Sequence, residues 1–309
     1  MSDAIQLNRD ETARASLAAS IFDLSRGRQA LLSVAQPALG AVIALGGLPS
    51  LERMAIGLVA ATCGFLAVFS LNDVLDRKGD AEALRQGKAE FEGYDLDTAF
   101  LRHPLARGDL SLALSVTWVG GLATIAAILA YLLAPAALAL FGAAVILEVL
   151  YCALRSVTWA KTFVSGLMVG AGGLAGWVAV AALDARAAIF FAFLALWEVA
   201  GRNLPNDLAD VEVDGRVGIR TVATTFGNRA SSRATFAGAL LTLGVMMTLP
   251  MPPLAIVISA VAGVWSMLVP AILLLREPTS AQAARYFNRA SLLLALVFVA
   301  CVFGLGLGL

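Results

Sequence analysis

Residues 110–154 read LSLALSVTWVGGLATIAAILAYLLAPAALALFGAAVILEVLYCAL, and Glu148 is the only charged side chain among them. A helix needs about 20 apolar residues to cross a hydrocarbon core of about 30 Å. The stretch is therefore long enough for two crossings, at about 110–133 and 136–154. It predicts a helical membrane protein.

Similar runs flank this pair on both sides. The whole chain is 60% apolar and only 14% charged, whereas a soluble domain has roughly 45–50% apolar and about 25% charged residues. We therefore predict an all-α, polytopic membrane protein with nine transmembrane helices. The other seven runs lie at about 30–49, 54–71, 162–183, 187–205, 235–252, 254–275 and 288–308.

The basic residues fix an orientation for these nine crossings. Twenty of the 22 Lys and Arg residues fall on one side, and only Arg53 and Arg186 fall on the other. The basic side is cytoplasmic by the positive-inside rule. We expect a polar cytoplasmic N-terminal segment (1–28) and one transmembrane domain (29–309) with cytoplasmic loops at 72–108 and 201–233. The expected location is the bacterial inner membrane, and no nucleic-acid partner is expected.

One polar pattern occurs twice, each time at the cytoplasmic end of a predicted helix. Both copies read Asn-Asp-x-x-Asp-x-x-x-Asp, and four predicted helices separate them. This arrangement suggests two four-helix repeats followed by a ninth helix. The members are Asn72, Asp73, Asp76 and Asp80 in the first copy, and Asn206, Asp207, Asp210 and Asp214 in the second.

The spacing within each copy indicates a metal site. Aspartates at i, i+3 and i+7 share one helix face, where their charges repel each other unless a cation offsets them. Hard oxygen ligands suit Mg²⁺, which commonly bridges protein carboxylates to substrate phosphates. The asparagines fit either as neutral oxygen ligands or as amides that orient the acids. Cations that could balance a bound phosphate on the same membrane face include Arg77, Arg155, Lys161, Arg202 and Arg220.

At these motifs the chain resembles the UbiA superfamily of intramembrane prenyltransferases. The resemblance runs from about residue 30 to 230 and includes both Asp motifs, His103-Pro104-Leu105-Ala106-Arg107-Gly108 and Tyr151-Cys152-Ala153-Leu154-Arg155. It implies a nine-helix fold in which the Asp motifs bind a polyprenyl diphosphate through Mg²⁺ and an acceptor attacks the allylic carbon.

The resemblance also implies roles for individual residues. Asp76, Asp210 and Arg155 would carry catalysis, with Arg155 at the place where the family often has Lys. The Asn and Asp residues of both motifs would bind the metal. From the charge balance on this membrane face, we expect contacts to the diphosphate from Asn72, Arg77, Arg155, Lys161, Arg202 and Arg220.

A few ionisable groups lie deeper in the predicted helices. Glu148, Glu198 and Tyr151 are candidates for an acceptor pocket, because ionisable groups at membrane depth usually pair or line a polar cavity. Glu198 and Arg202 are one turn apart, so an ion pair is the alternative. His103, the only histidine, stands where the family commonly has Arg. The acidic insertion 81–101 is longer than the family's usual connection and is a candidate lid.

These observations lead to one hypothesis and two alternatives. The hypothesis is a Mg²⁺-dependent transfer of a polyprenyl group from an allylic diphosphate to a hydrophobic acceptor, an aromatic ring of the quinone-precursor kind. The first alternative is a terpene cyclase of the same fold, which needs no acceptor. The second is a cation or phospholipid transporter, but transporters usually interrupt helices near the midplane, whereas here the acids lie at helix ends.

Overall fold

The computed structural model describes residues 16–85, 96, 99–100 and 103–308, and every regular element among them is a helix. The predicted insertion 81–101 lies largely outside this range. The α-helices are α1 Leu17–Leu24, α2 Gly27–Ser33, α3 Ala35–Leu45, α4 Leu51–Arg85, α5 Pro104–Arg107, α6 Leu112–Leu133, α7 Pro135–Leu154, α8 Lys161–Val178, α9 Ala185–Trp197, α10 Leu204–Ala209, α11 Val211–Val217, α12 Val222–Phe226, α13 Asn228–Met246, α14 Pro253–Gly263, α15 Val269–Arg276, α16 Ser280–Ala290 and α17 Leu293–Leu307.

Seven helical segments in the described part of the chain are long and apolar enough to cross a membrane. They correspond to seven of the nine predicted crossings. The remaining two predictions, at 162–183 and 235–252, coincide with helices α8 and α13, which are less apolar: α8 contains five glycines, and α13 contains Arg229 and Arg233. The seven segments are Gly27–Leu45, Leu51–Glu82, Leu112–Leu133, Pro135–Leu154, Ala185–Ala209, Pro253–Arg276 and Ser280–Leu307.

Helix α4 corrects the predicted boundary of the first cytoplasmic loop. The loop was expected to begin at residue 72, where hydropathy falls, but α4 continues to Arg85. Its last turns contain Leu, Lys, Arg, Glu and Ala, which are good helix formers although several are polar. The first Asp motif is therefore helical over its whole length.

Two π-helical turns interrupt the long C-terminal helices, at Glu198–Asn203 and Val264–Leu268. Each is followed within two residues by a proline, Pro205 or Pro270. A proline inside a helix lacks the N–H for the i−4 bond and its ring crowds that carbonyl. The wider π turn accommodates the proline, and such turns are frequent at functional sites.

Close glycine contacts bring helices α3 and α8 together. A Cβ atom placed on Gly176 would lie 1.9 Å from the carbonyl oxygen of Pro37, and one on Gly40 would lie 2.7 Å from the carbonyl oxygen of Gly173. Small residues allow such backbone approach between membrane helices. These contacts assign the glycine-rich face of α8 to helix packing.

The N-terminal helices dock onto the membrane helices. Ser25 and Ser70 hydroxyls are 2.9 Å apart, and the Trp118 indole N–H donates to the Ser25 hydroxyl at 2.9 Å. These bonds fix the α1–α2 junction beside the polar end of α4.

Candidate active site

The two Asp motifs converge on one polar pocket of about 160 Å³. The first motif reaches it from α4, and the second from α10, α11 and the residue between them. All eight residues of the two motifs line it, together with Asp23, Arg26, His103, Tyr151, Arg155, Lys161 and Ile219.

The first half of the pocket is held by two arginines. An Arg155 guanidinium nitrogen lies 2.6 Å from Asp76 Oδ1. Arg26 donates to Asn72 Oδ1 at 3.0 Å and to Asp73 Oδ1 at 3.3 Å. The Asn72 amide in turn donates to Glu148 Oε1 at 2.6 Å, so its orientation is fixed from both sides.

The second half is organised around a buried lysine. Lys161 Nζ lies 3.0 Å from Asp207 Oδ1 and donates to the Tyr151 hydroxyl at 3.1 Å. Asn203 also donates to the Tyr151 hydroxyl at 3.1 Å, and Thr162 bonds to the Asn203 amide oxygen. These buried bonds position the second motif against the start of α8.

Two further residues connect the pocket to the segment that follows α4. The Asp23 carboxylate accepts backbone N–H bonds from Ala99 at 2.8 Å and from Phe100 at 3.0 Å. His103 has a left-handed backbone (φ 55°) and directly precedes helix α5. Its Nδ1 atom lies 3.2 Å from Asp80 Oδ2.

The pocket lining carries excess negative charge. It contains seven carboxylates and three cationic side chains, Arg26, Arg155 and Lys161, so the lining residues have a formal excess of four negative charges. Burial lowers the pKa of Arg155, but Asp76, Asp80 and Asp214 more than offset this effect and raise it, so Arg155 stays charged. The donor set of carboxylate and amide oxygens with a charge deficit suits Mg²⁺.

A second, apolar cavity of about 550 Å³ is also lined by α4. On one face of α4, Phe65 and Phe69 line the apolar cavity, whereas Asn72 and Asp76 line the acidic pocket. One helical turn of about 5.4 Å separates these positions. A molecule with a charged head and an apolar tail could occupy both spaces at once.

A few polar side chains interrupt the apolar cavity. Gln36 is fully buried, and neither of its amide atoms has a hydrogen-bond partner among the described residues. Glu198 also lines the cavity; it accepts from the Ser165 hydroxyl at 2.7 Å and lies 3.6 Å from Arg202. A hydrocarbon tail offers these groups no hydrogen bond.

The family model of the UbiA prenyltransferases matches residues 33–297. The chain belongs to the UbiA prenyltransferase family. Its members are enzymes that transfer prenyl groups, and the helical, membrane-type fold agrees with this membership. No curated protein sequence matches the chain significantly.

Solved UbiA-family structures share the fold over nearly the whole chain. A UbiA homologue from Aeropyrum pernix K1 in its apo form has a TM-score of 0.70 at 15% identity and covers 89% of this chain and 97% of its own. A homologue from Archaeoglobus fulgidus bound to DMAPP and Mg²⁺ has a TM-score of 0.66 at 16% identity, covering 91% and 99%. A digeranylgeranylglyceryl phosphate synthase scores 0.65 at 16% identity, covering 93% and 97%.

Some predicted site residues of this UbiA-family chain lie away from the acidic pocket. Arg202 lines the apolar cavity and lies over the Trp197 ring at 5.3 Å, because it belongs to the π turn. The Arg220 side chain is exposed, and its backbone N–H donates to the Arg155 carbonyl at 2.8 Å. Arg77, half-buried on α4, lies outside the lining. Of the candidate acceptor residues, Glu198 faces the apolar cavity, Tyr151 lines the acidic pocket and Glu148 bonds to Asn72.

The prediction missed Arg26 and Asp23 as pocket residues. Both had been assigned to the polar N-terminal segment, and both line the acidic pocket. The available signal was their position just before the first apolar run, on the same membrane face as the Asp motifs. His103 was likewise not among the predicted site residues, and it lines the pocket.

Proposed function

We propose that this protein transfers a polyprenyl group from an allylic isoprenoid diphosphate to a hydrophobic acceptor, with Mg²⁺ as cofactor and release of diphosphate. The observation that carries the proposal is the continuous face of α4, which lines the apolar cavity with Phe65 and Phe69 and the acidic pocket with the first Asp motif. A polyprenyl diphosphate has the same division into tail and head. The A. fulgidus homologue bound to DMAPP and Mg²⁺ supports the same assignment.

The acidic pocket would hold the diphosphate through its metal ions. The Asp residues of both motifs would bind Mg²⁺, which when bound supplies Lewis-acid stabilisation of charge on the leaving oxygens. Asn72, fixed by Arg26 and Glu148, would orient the first motif. Arg26, Arg155 and Lys161 add preorganised positive charge where negative charge develops during cleavage.

The apolar cavity would hold the isoprenoid tail and the acceptor. Its lining excludes water, which would otherwise capture the allylic carbocation. Gln36 and Glu198 lie in the wall of this cavity, and a rotation of either side chain toward it would offer a hydrogen bond to an acceptor with a polar head, such as a hydroxylated aromatic ring of a quinone precursor. We assign Tyr151 and Glu148 to positioning Lys161 and Asn72, because those are their hydrogen-bond partners.

These polar groups favour a transferase over a cyclase. A buried donor or acceptor left without a partner costs about 1–3 kcal/mol, and a cyclising hydrocarbon would leave Gln36 unsatisfied. An acceptor with a hydroxyl or carbonyl group would satisfy it.

Turnover of radiolabelled geranyl, farnesyl and geranylgeranyl diphosphates tests the activity. The purified protein should release diphosphate in a Mg²⁺-dependent manner, faster with a hydroquinone acceptor, and Asp76→Ala and Asp210→Ala should each lower the rate at least about 100-fold. A cyclic hydrocarbon or alcohol formed from diphosphate alone would favour the cyclase instead. If the protein consumes no allylic diphosphate and both variants behave like wild type, both the transferase and the cyclase activity are contradicted.

We further propose that the chain crosses the bacterial inner membrane nine times, as a single domain over 29–309, with the acidic pocket on the cytoplasmic side. The charge segregation of the loops supports this topology. Single cysteines introduced at Arg85 and Arg186 in a cysteine-free background should react with a membrane-impermeant maleimide in intact cells only at position 186. Labelling of position 85 in intact cells would contradict the orientation. So would a result in which neither position reacts in intact cells and both react after permeabilisation.

A further inference from the structure

His103 lies among the carboxylates of the first motif with its imidazole close to two of them. One ligand atom each from Asp73, Asp80 and His103 can be chosen so that the three lie within 4.8 Å of one another. Metal–ligand distances of about 2.0–2.2 Å place neighbouring ligand atoms roughly 3–4 Å apart. The three side chains are therefore spaced to share one ion after small adjustments.

Two carboxylates of the first motif have arginine partners: Asp76 lies 2.6 Å from Arg155, and Asp73 Oδ1 lies 3.3 Å from Arg26. Asp73 would therefore contribute to the site while keeping Arg26 nearby, whereas Asp80 and His103 face each other at 3.2 Å. Both of these side chains are about 85% buried, with exposures of 15% and 14%. Asp80 and His103 thus form a compact pair of donors, one oxygen and one nitrogen.

The chain holds His103 in place with a fixed local backbone. The residue adopts the left-handed conformation that non-glycine residues rarely use, and Pro104 begins helix α5 immediately after it. The Arg107 N–H donates to the His103 carbonyl at 3.0 Å. This short capped turn directs the imidazole to the end of the first motif.

The two halves of the pocket consequently differ in donor chemistry. His103 is the only histidine in the chain, and the second motif offers carboxylate and amide oxygens from Asn206, Asp207, Asp210 and Asp214. Oxygen donors suit Mg²⁺, while an imidazole nitrogen favours first-row transition ions. A site with mixed donors should discriminate against Mg²⁺.

We propose that Asp73, Asp80 and His103 form a nitrogen-containing metal site that binds Mn²⁺ or Co²⁺ more tightly than Mg²⁺. This inference rests on the proposed function, because it assigns a metal preference to one half of the proposed diphosphate site. The alternative is that His103 serves only as an ion-pair partner of Asp80.

Electron spin echo envelope modulation of bound Mn²⁺ tests the ligand directly, using full-length detergent-purified protein without a histidine tag. An imidazole ligand produces a ¹⁴N modulation, and because the chain has one histidine, that signal has one source. One equivalent of Mn²⁺ should show it in wild type and in Asp210→Asn, which changes the other half of the pocket. The signal should be absent in His103→Gln.

Competition titrations supply the second readout. Mn²⁺ should bind wild type at least about tenfold more tightly than Mg²⁺, and His103→Gln should weaken Mn²⁺ binding about tenfold or more while changing Mg²⁺ binding less than about twofold. Mn²⁺ bound without ¹⁴N modulation, no Mn²⁺ binding, or equal loss of both metals in His103→Gln would overturn the proposal. Both readouts are taken without diphosphate, so a protein that binds Mn²⁺ through nitrogen but consumes no allylic diphosphate would refute the proposed function alone.

Discussion

The buried pair of Lys161 and Asp207 gives a prediction whose size follows from the structure. Their charged atoms are 3.0 Å apart, and the two side chains are only 3% and 6% exposed. Removing one partner of a buried ion pair leaves the other charge buried without compensation and destabilises the folded state by about 3–5 kcal/mol. Lys161→Met and Asp207→Asn should therefore each lower the free energy of unfolding by about this amount in metal-free buffer.

The double variant should lose less free energy of unfolding than the two single variants lose in total. With both charges removed, no unpaired ion remains, so the combined loss should fall short of the sum by at least about 2 kcal/mol. The assay is unfolding by sodium dodecyl sulfate in mixed micelles, followed by tryptophan fluorescence with EDTA present. Arg186→Met is the control: its pair with Asp184 has both side chains exposed and Arg186 also lies over the Trp177 ring at 5.7 Å, so its loss should lower the free energy of unfolding by only about 1 kcal/mol.

Two results would refute this reasoning. Strictly additive losses would mean that Lys161 and Asp207 are not coupled, and single losses below about 1 kcal/mol would mean that the pair is solvated. Mg²⁺ provides an internal check: if it binds beside Asp207, it should restore part of the stability of Lys161→Met but none of that of Arg186→Met.

Three further predictions concern packing, charge and the acceptor. Gly176→Ala should lower the free energy of unfolding by about 1–3 kcal/mol, because its Cβ would overlap the Pro37 backbone, whereas Gly172→Ala, with no atom within 4 Å of its Cβ, should be nearly neutral. Equal effects of the two substitutions in thermal unfolding would contradict the close approach of α3 and α8. Arg155→Ala should reduce kcat/KM for geranyl diphosphate at least about 100-fold, while Arg155→Lys should keep part of the activity and Arg229→Ala, at an exposed position on α13, should keep all of it. A wild-type rate in Arg155→Ala would show that Arg155 has no role in the site. Gln36→Leu should raise the acceptor KM about tenfold with a diphosphate KM within about twofold of wild type; equal changes in both values would argue for a structural role.

The sequence predicted the parts of this molecule that depend on local periodicity. The aspartates of each motif recur at i, i+3 and i+7, so their common face followed from helix geometry. Their repetition at the same membrane face anticipated that both motifs would line one pocket. Hydropathy likewise located the apolar segments, although it ended α4 too early because its last turns are polar yet strongly helix-forming.

The parts that depend on tertiary contacts could not be read in this way. Arg26 lies 46 residues before Asn72 in the chain, and no local pattern links them. Arg202 was predicted to contact the diphosphate because it is a cation expected on the same membrane face as the Asp motifs. The π turn at Glu198–Asn203 changes the rotation per residue, and Arg202 faces the apolar cavity instead.

The central claim is that both Asp motifs bind one diphosphate head in a single site. Isothermal titration of geranyl thiodiphosphate, which resists cleavage, measures this directly in the presence of Mg²⁺ and after its removal by EDTA. One molecule should bind per chain only with Mg²⁺, and Asp76→Asn and Asp210→Asn should each weaken binding at least about tenfold. Two molecules bound per chain, or undiminished affinity in either variant, would contradict a shared site.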